Sequence, residues 1–188
     1  MMRRSFMAAE TDLLCCPVCG IRSFARIEEK QWGCGGCGFL YYHNTASAVV
    51  AVVEHEGKIL VTERKKKPAA GTLDLPGGFV DNRETLEAAL VREIREELNL
   101  EVTDLKYLCS FPNAYPFGGI RYWTVDAFFT CRPRSVDGIR GRDEIARWFW
   151  ADIRTMNPDD FGFESIRRGL AFYLRTIRPR NNPEKEDP

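Results

Sequence analysis

Residues 76–100 read PGGFVDNRETLEAALVREIREELNL, and this stretch decides the fold. Pro76-Gly77-Gly78 turns into a helical segment that carries Glu93, Glu96 and Glu97 close together. At helical spacing, positions i, i+3 and i+4 share a face, so three like charges repel one another there and lower helix stability. Leu90, Val91, Ile94 and Leu98 form an apolar stripe, expected on the opposite face and packed on a sheet. A carboxylate patch of this density suits a hard divalent cation with oxygen ligands, its shell completed by a phosphate-bearing substrate.

Upstream, residues 46–53 form a nearly continuous apolar run, expected as a buried strand. A turn at 54–57 leads to a second strand at 58–63. Arg64-Lys65-Lys66-Lys67 follows, readable either as a solvated loop or as a phosphate-attracting cluster with Arg64 best placed at the strand end. Downstream, residues 101–110 and 122–131 read as strands joined by FPNAYPFGGI at 111–120, expected as a loop rich in proline, glycine and aromatic rings. Tyr115 and Phe117 there suit stacking on a base and suit equally a cover over the core rim. Arg121 closes the same stretch and joins Arg64, Tyr115 and Phe117 as a candidate substrate contact. A polar loop at 135–142, a strand at 145–151 and an amphipathic helix at 163–177 complete the order β-β-α-β-β-β-α. That order argues an α/β/α or α+β layered domain over residues 44–177. Residues 178–188 read as a disordered tail and 1–12 as a loose lead-in.

Residues 13–43 form a separate unit. Cys16-Pro-Val-Cys19-Gly and Cys34-Gly-Gly-Cys37-Gly are two knuckles, and the segment between them, with Phe24, Ile27 and Trp32, suits a short hairpin. Glycine after each second cysteine lets the chain turn so that backbone N–H groups face the sulfurs. The pattern matches a closed tetrahedral zinc ribbon with four thiolate ligands, although iron suits the same shell. Cys15 competes with Cys16, but only Cys16 has the two-residue spacing to Cys19. A unit this small is expected to take its stability from the metal.

Net charge is zero and the pI is about 6.7, so no global field attracts nucleic acid or membranes, although a local basic patch is compatible with it. No apolar run reaches spanning length, and paired CxxC motifs point to a reducing, cytoplasmic setting.

Residues 78–100 resemble the Nudix box, Gx5Ex7REUxEExGU, at Gly78, Glu84, Arg92-Glu93-Ile94, Glu96-Glu97 and Leu100, with Asn99 where the last glycine is usual. Asn is the next best residue at a left-handed helix stop, so the departure should preserve the boundary. The resemblance implies a Nudix α/β/α sandwich with a mixed sheet. It also implies a hydrolase for nucleoside diphosphates linked to another moiety, ADP-ribose- or NADH-like, using Mg2+ or Mn2+. It assigns Glu93, Glu96 and Glu97 to the cations, with the Gly77 carbonyl as a further ligand and one glutamate as base for the attacking water. It pairs Glu84 with Arg92 to orient the helix. In one continuous helix that pair would lie about 12 Å apart along the axis. Pairing therefore requires Glu84 to precede the helix, with Thr85 as N-cap and Leu86 as the first helical residue. A later-loop acid common in the family points to Glu144 in preference to Asp143.

The ribbon is similar to that of the NADH pyrophosphatase branch. Of that branch's SQPWPFP motif, however, Ser110-Phe-Pro-Asn-Ala-Tyr-Pro116 keeps Ser110, Pro112 and Pro116 while placing Phe111 and Asn113 at the glutamine and tryptophan positions. The substrate therefore stays open among small nucleotide conjugates, and a capped RNA end stays open with them. Family analogy allows a homodimer. The competing class is a zinc-ribbon module that binds nucleotide or RNA without turnover.

Overall fold

The computed structural model describes residues 13–117, 120–142 and 145–177 of the chain, the side chains of residues 117 and 120 excepted. The expected lead-in and tail, and Asp143 and Glu144, lie outside the described residues. The chain divides between Thr45 and Ala46 into two compact units. No helix among the described residues is long and apolar enough to cross a membrane.

The first unit is a four-stranded antiparallel sheet of β1 (Leu14–Cys15), β2 (Arg22–Arg26), β3 (Gln31–Cys34) and β4 (Leu40–Tyr42), in that order. Its interior is small. Phe24 stacks on Trp32 and Phe39 at 5.8 and 6.0 Å, with Cys16 and Cys34 buried beside it.

The second unit is a mixed sheet between two helices. Its strands are β5 (Ala46–His55), β6 (Lys58–Arg64), β7 (Leu73–Asp74), β8 (Gly77–Phe79), β9 (Val102–Phe117), β10 (Ile120–Pro133) and β11 (Ile145–Asp152). The order is β11-β6-β5-β10-β9, with β7 on β6 and β8 on β5; β5 and β10 run parallel and the other pairs antiparallel. The continuous apolar run of β5 serves both faces, because successive side chains alternate. Val49, Ala51 and Val53 meet Leu90, Ile94 and Leu98 of α1 (Leu86–Leu98). Val50 and Val52 join Phe128 and meet Ile166, Leu170, Tyr173 and Leu174 of α2 (Glu164–Ile177).

Three expectations are corrected. Residues 111–117 form no loop: β9 continues through them, Pro112 opposite Val125 and Pro116 opposite Arg121. β9 is the outer strand of the sheet, where proline's missing N–H leaves no ladder bond unmade on the open side. Val91 is 38% exposed, and Ala89 takes the expected place in the core. At about 100° per residue, Ala89, Glu93 and Glu97 form one row, so Glu93 and Glu97 lie beside the apolar stripe and not opposite it. Both are half-buried, while Glu96 is exposed.

One irregularity opens the sheet. β5 and β6 pair only beside their turn, at Glu54–Ile59 and His55–Lys58. Beyond that, β8 pairs with Ala48–Val50 and β7 with Thr62 and Glu63, and Ala51 N–H bonds the Pro76 carbonyl at 2.8 Å. The two short strands hook the Pro76-Gly77-Gly78 segment into the parting.

Candidate active site

α1 starts and stops where local chemistry requires. Thr85 is the N-cap, its hydroxyl accepting from Ala88 N–H at 3.2 Å. Asn99 closes the helix in the left-handed conformation, φ 52°, ψ 38°, and its N–H bonds the Arg95 carbonyl. The carbonyls of Glu97 and Leu98 do not go unpaired. Arg142 N–H bonds Glu97 O and Arg140 N–H bonds Leu98 O, each at 2.9 Å, so the polar loop after β10 is tied to the end of α1. That loop leads to Glu144, which itself lies outside the described residues.

Because the helix begins at Leu86, Glu84 folds back onto Arg92, with Nε–Oε1 at 2.8 Å and Nη2–Oε2 at 2.9 Å, a bidentate pair. The same guanidinium bonds the Phe79 carbonyl at 3.0 Å, Glu93 at 2.9 Å and Glu96 at 3.2 Å. The Arg92 guanidinium holds the Glu84 carboxyl below the usual range. For Glu93, burial outweighs the arginine and pushes the carboxyl up.

Glu97 accepts from Gly77 N–H at 3.2 Å. Among the described residues the three glutamates do not gather their oxygens within 4.8 Å of one another; only the cysteine cluster does so. Arg92 Nη1 bridges Glu93 and Glu96, while Glu97 takes the Gly77 N–H, and the shared cation offsets the repulsion of like charges. The donor set, three carboxylates and a backbone carbonyl, nevertheless has the hard-oxygen chemistry of a Mg2+ or Mn2+ site.

The glycine pair is dictated by contact. A Cβ on Gly77, at φ 151°, would stand 2.0 Å from the Val49 carbonyl oxygen, and one on Gly78 would stand 2.4 Å from the Glu93 carboxylate. Gly77→Ala should therefore cost at least about 2 kcal/mol in chemical denaturation, through backbone clash and strain together.

A cleft of about 130 Å³ lies next to these groups, lined by Gly77, Gly78, Phe79, Glu97, Arg64, Asp74, Asn113, Tyr115, Thr124, Asp126 and Phe163, among others. Its rings touch one another: Tyr115 meets Phe79 at 5.6 Å and Phe163 at 5.7 Å. Of the candidate substrate contacts, Tyr115 and Arg64 line this cleft and Arg121 does not; Arg121 lies 6.0 Å from the Trp123 ring. The side chain of Phe117 lies outside the described residues. Arg64 is committed elsewhere than its sequence position suggests. It bonds Asp74 at 2.9 Å and the Pro68 carbonyl at 2.9 Å, and it covers the Phe163 ring at 5.0 Å. Burial raises the Asp74 carboxyl despite this arginine. Phe79, Asp74, Asn113, Thr124, Asp126 and Phe163 come to the cleft from five elements or their flanks, and no local motif marks them.

In the first unit, Cys16, Cys19, Cys34 and Cys37 bring their sulfurs within 4.8 Å of one another. Sulfurs 2.3 Å from a tetrahedral centre stand about 3.8 Å apart. The Cys16–Cys37 and Cys19–Cys34 separations are 3.8 and 3.7 Å, so the cluster fits zinc. Cys15 is exposed and outside the group. N–H groups do face the sulfurs, but from Val18, Gly36 and Cys37, while Gly20 and Gly38 close the turns onto the Cys16 and Cys34 carbonyls. Ser23 Oγ, 3.1 Å from Cys34 Sγ, and the N–H groups of Cys37 and Gly36 bring the Cys34 thiol down to about 6, favouring the thiolate that a metal requires.

Comparison with known proteins agrees with this geometry. Residues 43–169 match the NUDIX domain family. The NAD-capped RNA hydrolase NudC of Vibrio atlanticus is 31% identical over 156 residues, 82% of this chain and 55% of that protein. The ADP-ribose pyrophosphatase of Methanocaldococcus jannaschii is 45% identical over 83 residues, 43% of this chain and 48% of that protein. This chain spans about half the length of these curated relatives. The crystal structure of a NUDIX hydrolase from Nitrosomonas europaea superposes with a TM-score of 0.71 at 25% identity, covering 86% of this chain and 90% of that one.

Proposed function

The chain belongs to the NUDIX family, and from that premise we propose that it hydrolyses the pyrophosphate bond of a nucleoside diphosphate linked to another moiety, ADP-ribose- or NAD-like. The observation that carries this reading is the half-buried pair Glu93 and Glu97, held by Arg92 and Gly77 at the edge of an aromatic cleft. The names of two relatives, an ADP-ribose pyrophosphatase and an NAD-capped RNA hydrolase, support the substrate class. The proposed hydrolase domain is residues 44–177 and the ribbon residues 13–43. Paired CxxC knuckles, a metal-binding pattern, support a reducing, cytoplasmic setting.

Glu93, Glu96 and Glu97, with the Gly77 carbonyl, would hold Mg2+ or Mn2+. When bound, the cation neutralises diphosphate charge and acidifies a water molecule. Arg92, clamped by Glu84, fixes Glu93 in register with the glycine pair. One glutamate accepts the water proton. The water oxygen bonds to one phosphorus while the bond from that phosphorus to the bridging oxygen breaks, leaving two monophosphates. Glu144 is assigned to assist from its loop. Tyr115 and Phe79 offer ring faces to a base, and Arg64 acts through Asp74 to shape the wall. Cys16, Cys19, Cys34 and Cys37 hold a structural zinc.

The test is a panel of ADP-ribose, NAD, NADH, diadenosine polyphosphates, nucleoside triphosphates and NAD-capped RNA with Mg2+ or Mn2+, products identified. Conversion of a dinucleotide or sugar conjugate to two monophosphates, abolished by chelator, is expected. Tight nucleotide binding without any turnover would establish the non-catalytic alternative instead.

A further inference from the structure

The floor of the cleft carries a buried carboxylate that the hydrolytic step does not use. Asp126 is 5% exposed and lines the cleft with Thr124 and Asn113. Thr124 and Asn113 are register partners on β10 and β9, so the three form one polar strip on a single face. Thr124 Oγ1 donates to Asp126 Oδ1 and Ser165 Oγ to Asp126 Oδ2, each at 2.6 Å.

An ionised carboxylate offers about four acceptor sites, and these bonds fill two of them. Both hydroxyls have spent their single proton on Asp126, so Thr124, which lines the cleft, offers it only lone pairs. The one cation lining the cleft among the described residues, Arg64, bonds Asp74, which is 7% exposed. Asn113 Oδ1 accepts from Ala114 N–H at 2.9 Å, which leaves its amide NH2 as the donor beside Thr124. The strip therefore presents a donor, Asn113, next to acceptors, Thr124 and Asp126.

We propose that Asn113 and Asp126 read a ligand edge in which an acceptor atom sits beside an NH2 group, and that Asp126 is a specificity-determining residue of the cleft. This rests on the hydrolase reading above. Two parts of the proposed substrates carry that edge: the carboxamide of a nicotinamide ring and the N1/amino edge of adenine. An edge with a carboxylate or carbonyl in place of NH2 would set lone pairs against lone pairs in a buried site, where an unpaired polar group is costly. Discrimination should then come mainly from rejection of the wrong edge. The flat ring carrying the edge would lie among Phe79, Tyr115 and Phe163.

The test pairs substrates that differ only at this edge: NAD against nicotinic acid adenine dinucleotide, and ADP-ribose against IDP-ribose. In one of the two pairs kcat/KM should favour the NH2-bearing member by about 100-fold, and the pair that responds identifies which ring occupies the cleft. Asp126→Asn should cut that ratio to below about tenfold. A wild-type enzyme indifferent to both pairs, or a ratio that Asp126→Asn leaves unchanged, overturns the proposal.

Binding of AMP against IMP, and of nicotinamide mononucleotide against nicotinic acid mononucleotide, reads the same edge without turnover. Retained discrimination with no hydrolysis sinks only the enzymatic reading; loss of discrimination sinks this one. If Asp126 merely knots β10 to α2, Ser165→Ala and Asp126→Asn should both lower Tm and neither should move the ratio. Should Asp126→Asn fail to fold, Asn113→Leu, at a half-buried position on the outer strand, must also shrink the ratio.

Discussion

Glu93→Gln should lower kcat by about a thousandfold with the fold unchanged, the scale expected for loss of a charged group that acts on the reacting water or its cation. The carboxylate lies against the Gly78 backbone and takes the Arg92 guanidinium at 2.9 Å. Glutamine keeps its size and one acceptor oxygen, so Arg92 stays clamped by Glu84. Stability should be equal or slightly higher. Burial pushes the Glu93 carboxyl up despite its arginine, so the folded protein already holds this charge at a cost. Loss of activity without loss of stability separates a functional carboxylate from a structural one. Gly78→Ala supplies an independent reading, since its methyl group would meet the Glu93 carboxylate at 2.4 Å and drive it aside. Its kcat should fall on a similar scale although no charge is removed. Turnover by Glu93→Gln within tenfold of wild type would take Glu93 out of the catalytic role.

Removal of the zinc proposed for the ribbon should unfold residues 13–43 while the second unit keeps its structure. The ribbon buries Phe24 against Trp32 and Phe39, with two of its own cysteines as the other buried members of that cluster. So little apolar area cannot offset the backbone entropy of a sheet this size. Metal binding to such sites is worth roughly 10–16 kcal/mol, and without it the ordered state is lost. The wild-type protein should carry one zinc per chain by elemental analysis. Cys34→Ser should lose it and make the ribbon sensitive to protease, while Cys15→Ser should retain it, because Cys15 is outside the cluster. Iron in place of zinc would show in the visible spectrum. Full metal retention in Cys34→Ser, or loss in Cys15→Ser, would reassign the ligand set.

The second unit should tolerate ribbon unfolding because it has two apolar layers of its own, one under each helix. Circular dichroism and hydrolysis measured on the chelated full chain check this directly.

Helix α1 was legible in the sequence because its determinants are local. Thr85 caps it and Asn99 stops it within the reach of single residues. The Glu84–Arg92 pair follows from where the cap falls. The four clustered ribbon cysteines were legible for the same reason: spacing within each knuckle sets which sulfurs meet. The alternating layers of β5 follow from an unbroken apolar run.

Other features depended on partners distant in sequence. Residues 111–117 carry the composition of a loop, yet pairing with β10 on the sheet edge makes them a strand, because the edge excuses the prolines. Arg64 has the position of a phosphate ligand, yet Asp74 and Phe163 claim it. Val91 yields its expected core place to Ala89 because the sheet, not the helix, decides which flank is covered. The cleft floor joins Asn113, Thr124 and Asp126 from β9 and β10, with Ser165 of α2 bonded to Asp126, and these spacings match no motif.

The identity of the chemistry thus lies in residues 76–100 of the chain, where charge, glycine and cap positions act within a few residues of one another. The choice of what that chemistry acts upon lies in the parting of β5 from β6 and in the face of β9 and β10 behind it. Only the folded sheet brings those side chains together, and a buried carboxylate acquires its selectivity from what surrounds it in space.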